Sequence, residues 1–240
     1  MAKITAETYD RNVLEQGAQR QIDDHYEPKA IARQNRINII MGHLKLSPGA
    51  RVLDVGCGVG AFAFHCAKKG AFSTGIDYSK ESVSMASRLV KDYGLQDMAF
   101  FAAADAFNMP FKDSVFDSVL AIDFIEHIRH DEKELLLTEI SRVLKYDGCA
   151  VIFTPNKIRE AIGDIYWRLR HFLFGDKIPK DELHYGLISR RGFEKLLKKH
   201  GFLFEFAYYD LTRPYLAKLY FFRHFLSLNL LWVVRKQRAL

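Results

Sequence analysis

Between residues 50 and 156, short apolar runs alternate with longer stretches whose apolar residues return every three or four positions. The runs RVLDVGC (51–57), FSTGIDY (72–78), MAFFAAAD (98–105), VFDSVLAIDF (115–124) and CAVIFTPN (149–156) predict five strands. Between the first two, AFAFHCAKKG predicts a helix closed by Gly70. SKESVSMASRLVKDYG predicts another, with Ser79 as its N-cap. Asp131 and Glu134 make a capping-box-like start to a third helix, expected to end near Asp147 and Gly148. Strands this uniformly apolar, alternating with helices, predict a parallel sheet covered on both faces.

Upstream lie a polar segment (1–28) and IARQNRINIIMGHL, a predicted helix before the turn Ser47-Pro48-Gly49. Downstream the rhythm breaks, since residues 156–188 hold no strand pattern. ISRRGFEKLLKKHG then predicts an amphipathic helix ended by Gly201, followed by FLFEFAYYD and LNLLWVVRKQ as strands six and seven. The expected architecture is a doubly wound α/β fold: a seven-stranded, mostly parallel sheet with helices on both faces and a mostly helical cap after strand five. One domain spans 1–240, with a helical segment at 1–46, a ligand-binding core at 50–155 and cap segments at 156–188 and 211–228.

A chain of 240 residues, 49% hydrophobic, can supply the core of one such domain. Cys57, Cys66 and Cys149 are too few for a disulfide framework and lack metal-site spacing. They point to a reducing, cytoplasmic compartment, and no metal site is read. MAKITAETYDRN lacks the apolar core of a secretory signal. A net charge of +6 permits an anionic partner without choosing one.

The chemistry starts at VLDVGCGVGA (52–61), a strand emptying into Gly56, Gly58 and Gly60. Such a turn is expected to bring bare backbone N–H groups against a cofactor, with any side chain at these glycines occupying the ligand's space. Gly56, Gly58 and Ala61 also satisfy the dinucleotide fingerprint, so nicotinamide, flavin and S-adenosylmethionine (SAM) all stay open at this point. Asp77 closes strand two, where a carboxylate can accept from both ribose hydroxyls of either kind of cofactor. Asp54 discriminates, because a carboxylate at the loop suits the sulfonium and ammonium of SAM better than a pyrophosphate. At the end of strand three, Asp105 can accept from an adenine amino group and the Ala106 N–H can reach a ring nitrogen. Asp123, Glu126 and His127 fall at and beyond the mouth of strand four.

VLDVGCGVG, GIDYS, ADAFNMPF, VFDSVLAIDFIEHI and LKYDGCAVIFTPN together resemble the successive motifs of the class I SAM-dependent methyltransferases. The resemblance implies that the Gly56–Gly60 loop, Cys57 included, holds the methionine part. It implies ribose binding by Asp77, adenine contacts from Asp105 and Ala106 beside Tyr78, and a cofactor contact at Asp123. ARQNRINII is similar to the N-terminal arginine segment of quinone-biosynthesis O-methyltransferases. This implies that Arg36 meets the SAM carboxylate, with Arg33 as its rival.

The expected activity is methyl transfer to a small, apolar or lipid-like acceptor, at oxygen. Deprotonating a hydroxyl needs a base. His127 is the first candidate, His184 in LHYG the second, and Glu126 would hold His127 or bind a metal. The alternatives are an RNA or other amine methyltransferase and a non-catalytic SAM-binding module. Nucleic acid is disfavoured by the lack of an Asn/Asp-Pro-Pro-aromatic motif. In the insertion, Ile158, Ile162, Ile165, Tyr166, Leu169, Phe172 and Leu173 share a helical face, with Arg159, Arg168 and Arg170 off it. Such a helix suits a lid, an interface between copies or peripheral contact with an anionic membrane. It does not suit a membrane span.

Overall fold

A computed structural model describes residues 15, 17–175, 185–210 and 227–236. A helix α1 (Ile31–Gly42) leads into β1 (Arg51–Val55), α2 (Ala61–Lys68), β2 (Phe72–Asp77), α3 (Lys80–Asp92), β3 (Ala99–Ala103) and β4 (Phe116–Ile122). Then follow α4 (His130–Val143), β5 (Leu144–Pro155), α5 (Lys157–Phe174), α6 (Arg190–Lys199), β6 (Phe202–Tyr209) and β7 (Asn229–Lys236). The seven strands form one sheet in the order β3-β2-β1-β4-β5-β7-β6. The first five run parallel, while β7 lies antiparallel between β5 and β6.

Successive side chains of a strand point to opposite faces, so a continuous apolar strand feeds two cores at once. Leu53 and Val55 join Val119, Ala121, Ile140, Phe193 and Trp232 on one face of the sheet. Val52 joins Ile40, Phe62, Leu120, Val151 and Phe153 on the other. Full burial of each aliphatic side chain contributes about 1.5–3 kcal/mol. Ser79 caps α3 as expected, its Oγ accepting from the Ser82 N–H at 3.0 Å. Gly70, at φ +85°, ends the turn after α2.

The third predicted helix needs correcting at both ends. It starts at His130, and the carboxylate of Glu132 accepts from the Arg129 N–H at 2.8 Å. Asp131 pairs instead with the Arg129 side chain, and Glu134 with Lys199. The helix stops at Val143, because Leu144 already pairs with Phe116 as the start of β5. Residues 144–148 therefore belong to the strand, which is longer than its apolar run. At its far end, Pro155 is opposite Asn229, which is in turn opposite Tyr209. The excursions after β5 and β6 thus leave one corner of the sheet.

Candidate functional site

Parallel strands deliver their carboxyl ends to one edge, and between β1 and β4 the order reverses direction; ligands bind at such a switch point. Gly56, Gly58 and Gly60 follow β1 at φ +68°, +51° and +82°, a region that side chains enter only with strain. The protein itself, not ligand space, excludes a side chain at two of them. A Cβ on Gly56 would lie 2.2 Å from Phe124 Cδ2, and one on Gly60 would lie 2.5 Å from Phe101 Cε1. Only at Gly58 would it meet open space.

The expectation of bare N–H groups also needs correcting. The Gly56 and Cys57 N–H groups both donate to Ile76 O (2.8 and 3.0 Å) and the Gly60 N–H to Cys57 O (2.8 Å). The Gly58 N–H donates to Asp77 Oδ2 at 2.9 Å. Four donors of the turn are thus spent within the protein, which suits a pyrophosphate poorly. Asp77 fixes the turn from below, since its other oxygen accepts from the Ser79 N–H at 2.9 Å.

Asp54 is buried, and its Oδ2 accepts from the Ala63 N–H at 3.2 Å, in the first turn of α2. Burial pushes its carboxyl up to about 7; Asp77 adds to the rise, while the Ala63 N–H and Arg36 oppose it. Asp123, just past β4, takes φ +49°, and its N–H donates to Phe153 O at 2.8 Å. Its carboxylate pairs with Arg36. The Arg36 guanidinium sits between the rings of Phe62 and Phe153, 5.6 and 5.5 Å from their centroids. Its Nε is buried with no hydrogen-bond partner among the described residues. Arg33 pairs instead with Asp24.

These residues converge on a cleft of roughly 350 Å³, lined by Arg33, Arg36, Asp54, Gly56, Cys57, Gly58 and Asp123 among others. Gln21, Asp24 and His25 complete its wall, and sequence reasoning missed them. They belong to, or adjoin, a π-helical turn at Ile22–Tyr26, whose only sequence signal was a polar, unpatterned segment. Tyr26 anchors that turn: its buried hydroxyl donates to Val59 O in the glycine turn at 2.6 Å, and its ring packs on Phe64.

Gly60, Asp77, Tyr78, Asp105, Ala106 and His127 are not among the cleft-lining residues. Asp77 and Gly60 support the turn from behind it. Tyr78 is exposed at the end of β2. Asp105 is exposed too, its Oδ1 accepting from the Phe107 N–H at 2.8 Å. His127 ends a short 3₁₀ turn, Ile125–His127, just beyond Asp123, and is half-buried. His184 and residues 211–226 lie outside the described residues. Glu126 is fully buried; its Oε2 accepts from Thr154 Oγ1 at 2.9 Å, and its carbonyl accepts from the Gly186 N–H at 2.7 Å. Burial first, and Asp123 second, hold its carboxyl well above the usual range. Lys133 is buried nearby, its ammonium donating to Ile128 O at 2.5 Å, and burial lowers its pKa. Glu126 ties the segment after β4 to β5 and to Gly186, and Lys133 ties the start of α4 to Ile128.

One end of the cleft thus offers a guanidinium with a spare donor beside two carboxylates, complementary to a zwitterionic amino acid. The family model described as a methyltransferase domain matches residues 53–152, from β1 into β5. Residues 53–152 are a class I SAM-dependent methyltransferase domain.

The chain is 43% identical over 93 residues to norajmaline N-methyltransferase of Rauvolfia serpentina, covering 38% of this chain and 31% of that protein. It is 38% identical over 121 residues to the sterol 24-C-methyltransferase ERG6B of Gibberella zeae, covering 50% and 31%. The chain matches less than half the length of the first curated relatives, 31–44% of each. A TehB-like SAM-dependent methyltransferase of Corynebacterium glutamicum superposes with TM-score 0.64 at 19% identity, covering 96% of this chain and all of that one. That likeness extends the shared fold beyond the matched core, to β6 and β7.

Proposed function

We propose that this chain is an enzyme that transfers a methyl group from SAM to a small, apolar or lipid-like acceptor, at oxygen. The observation that carries the proposal is the charge arrangement at the glycine turn: Arg36 paired with Asp123, above a buried Asp54. In this proposal Arg36 receives the cofactor's carboxylate, and Asp54 and Asp123 flank its ammonium. Gly56, Cys57 and Gly58 form the floor under the methionine part, with Gly60 holding the turn's shape. Asp77, at the foot of the turn, takes the ribose, and Tyr78, Asp105 and Ala106 take the adenine. Bound SAM supplies an electrophilic methyl group on a sulfonium.

Displacement at that methyl disperses charge, so the protein's work is positioning and exclusion of water. The π-helical turn and α1 wall the cleft from solvent, and Phe62 and Phe153 keep the guanidinium in a fixed place. His127, one turn beyond Asp123, removes the acceptor hydroxyl's proton, with His184 as the second candidate base. Residues 156–188 and 211–228 choose the acceptor. The sterol relative and the exposed apolar face of α5 support a lipid-like one. The protein then works in the cytoplasm, peripheral to an anionic membrane; no helix of the described residues is long and apolar enough to cross one. A second proposal, an amine acceptor, is favoured by the N-methyltransferase relative.

Calorimetry with S-adenosylhomocysteine and with NAD tests the cofactor. Binding of the first alone is expected, and binding of NAD alone overturns the proposal. Methyl transfer to apolar phenols and to apolar amines then separates oxygen from nitrogen.

A further inference from the structure

Helix α5 runs for 18 residues and buries none of them. Ile158, Ile162, Ile165, Leu169, Phe172 and Leu173 are all large, apolar and exposed, Phe172 by 84%. At about 100° per residue they fill an arc of about 100°. Lys157 and Arg168 then stand at one shoulder of that arc, and Arg159 and Arg170 at the other. Of the two acids, Glu160 falls on the opposite side and Asp164 just behind the Lys157 shoulder. Arg170 leans on the Tyr166 ring, 5.8 Å from its centroid, and donates to its hydroxyl at 3.0 Å.

This order of charges selects among occupants. A second copy packed face to face would bring four basic side chains against four more, with Asp164 the one acid near a shoulder and Glu160 turned away. A bilayer surface has the complementary order: acyl chains meet the arc, while anionic headgroups meet long basic side chains that reach outward from its shoulders. The net charge of +6 acts in the same direction at longer range.

We propose that α5 lies in the headgroup plane of an anionic bilayer, with the Ile158–Leu173 face in the acyl region, and that it docks the enzyme there. Asn156 caps α5 directly after Pro155 ends β5, and Thr154 bonds to Glu126 behind the cleft. The docking helix therefore starts at the carboxyl edge of the sheet, the edge that carries the cleft. The consequence for catalysis rests on the lipid-like acceptor proposed above.

The test is flotation with phosphatidylcholine vesicles, with and without phosphatidylglycerol. The full-length protein should float with anionic vesicles at low salt, and both high salt and omission of phosphatidylglycerol should release it. Leu169→Glu with Phe172→Glu, and separately Arg159→Glu with Arg168→Glu, should each cut the bound fraction about tenfold or more. Their melting temperatures should stay unchanged, because nothing on this face is buried. Absence of flotation, or flotation that neither variant weakens, overturns the proposal. So does a dimer that the Leu169→Glu, Phe172→Glu variant dissociates, which would assign the face to a second copy. A fall in that variant's melting temperature would assign it to another segment of the chain. S-adenosylhomocysteine titration keeps the two proposals apart. Variants that lose vesicles and keep the nucleoside isolate docking, whereas a wild type that binds vesicles and no nucleoside refutes the methyltransferase proposal alone.

Discussion

Arg36 on α1 and Asp123 at the end of β4 form an ion pair across the mouth of the cleft, 87 positions apart in the chain. The pair joins the N-terminal helix to the sheet and sets the charge pattern of the site. Arg36→Ala should weaken S-adenosylhomocysteine binding about tenfold to a hundredfold, the loss of a charge-assisted contact in a shielded place. Arg33→Ala breaks a more exposed pair with Asp24 and should change affinity by less than about threefold. Calorimetry on the two variants separates these arginines, and equal effects would remove Arg36 from its assigned role.

Asp77 supports the turn through two backbone N–H groups, on Gly58 and Ser79. Asp77→Ala should therefore lower both the melting temperature and the affinity for S-adenosylhomocysteine, the latter more than about tenfold. Asp77→Asn keeps one acceptor oxygen and should recover part of the stability but less of the affinity. Paired melting and binding measurements would show whether the two losses separate.

With Asp54 beside the cofactor's ammonium, as proposed, its raised pKa should make cofactor binding depend on pH. Below about pH 7 the buried carboxyl holds its proton and attracts no ammonium group. Affinity for S-adenosylhomocysteine should thus fall as pH drops from 8 to 6, by up to about tenfold per unit once Asp54 is protonated. Binding near neutrality should release protons, detectable by calorimetry in buffers of different ionisation enthalpy. The same group lowers fold stability as pH rises from the unfolded carboxylate range to about 7, because only the unfolded chain ionises freely there. Asp54→Asn should flatten both profiles.

The glycines of the turn should not be equivalent. Gly56→Ala sets a Cβ 2.2 Å from Phe124 in addition to its strained φ, costing about 3 kcal/mol and roughly 6–12 °C in melting temperature. Gly58→Ala meets open space, so it pays mainly the backbone term of about 1–2 kcal/mol. Thermal melts of the two variants check the order.

The strands of the core were legible because each is buried on both faces and reads as one apolar run. Ser79 was legible because N-caps are chemically local. The end of α4 was not, because Lys145, Tyr146 and Asp147 look like a helix terminus, and only pairing across to β4 makes their segment a strand. At the site, Asp54, Gly58 and Arg36 stood in recognisable motifs. Gln21, Asp24 and His25 did not, since a π-helical turn has no periodicity to detect and is fixed by distant contacts, Tyr26 to Val59 and Phe64 and His25 to His65. The companions of Asp77 are backbone amides, which no side-chain pattern can announce.

The antiparallel entry of β7 has a further consequence. Because Pro155, Asn229 and Tyr209 sit side by side in register, both long excursions are tethered at one corner of the sheet, beyond the strands that build the glycine turn. Insertions or rewritten sequence in either excursion leave the pairing of β1, β2 and β4 untouched. With acceptor choice assigned to these excursions, as proposed, it should drift across generations at little cost to cofactor binding.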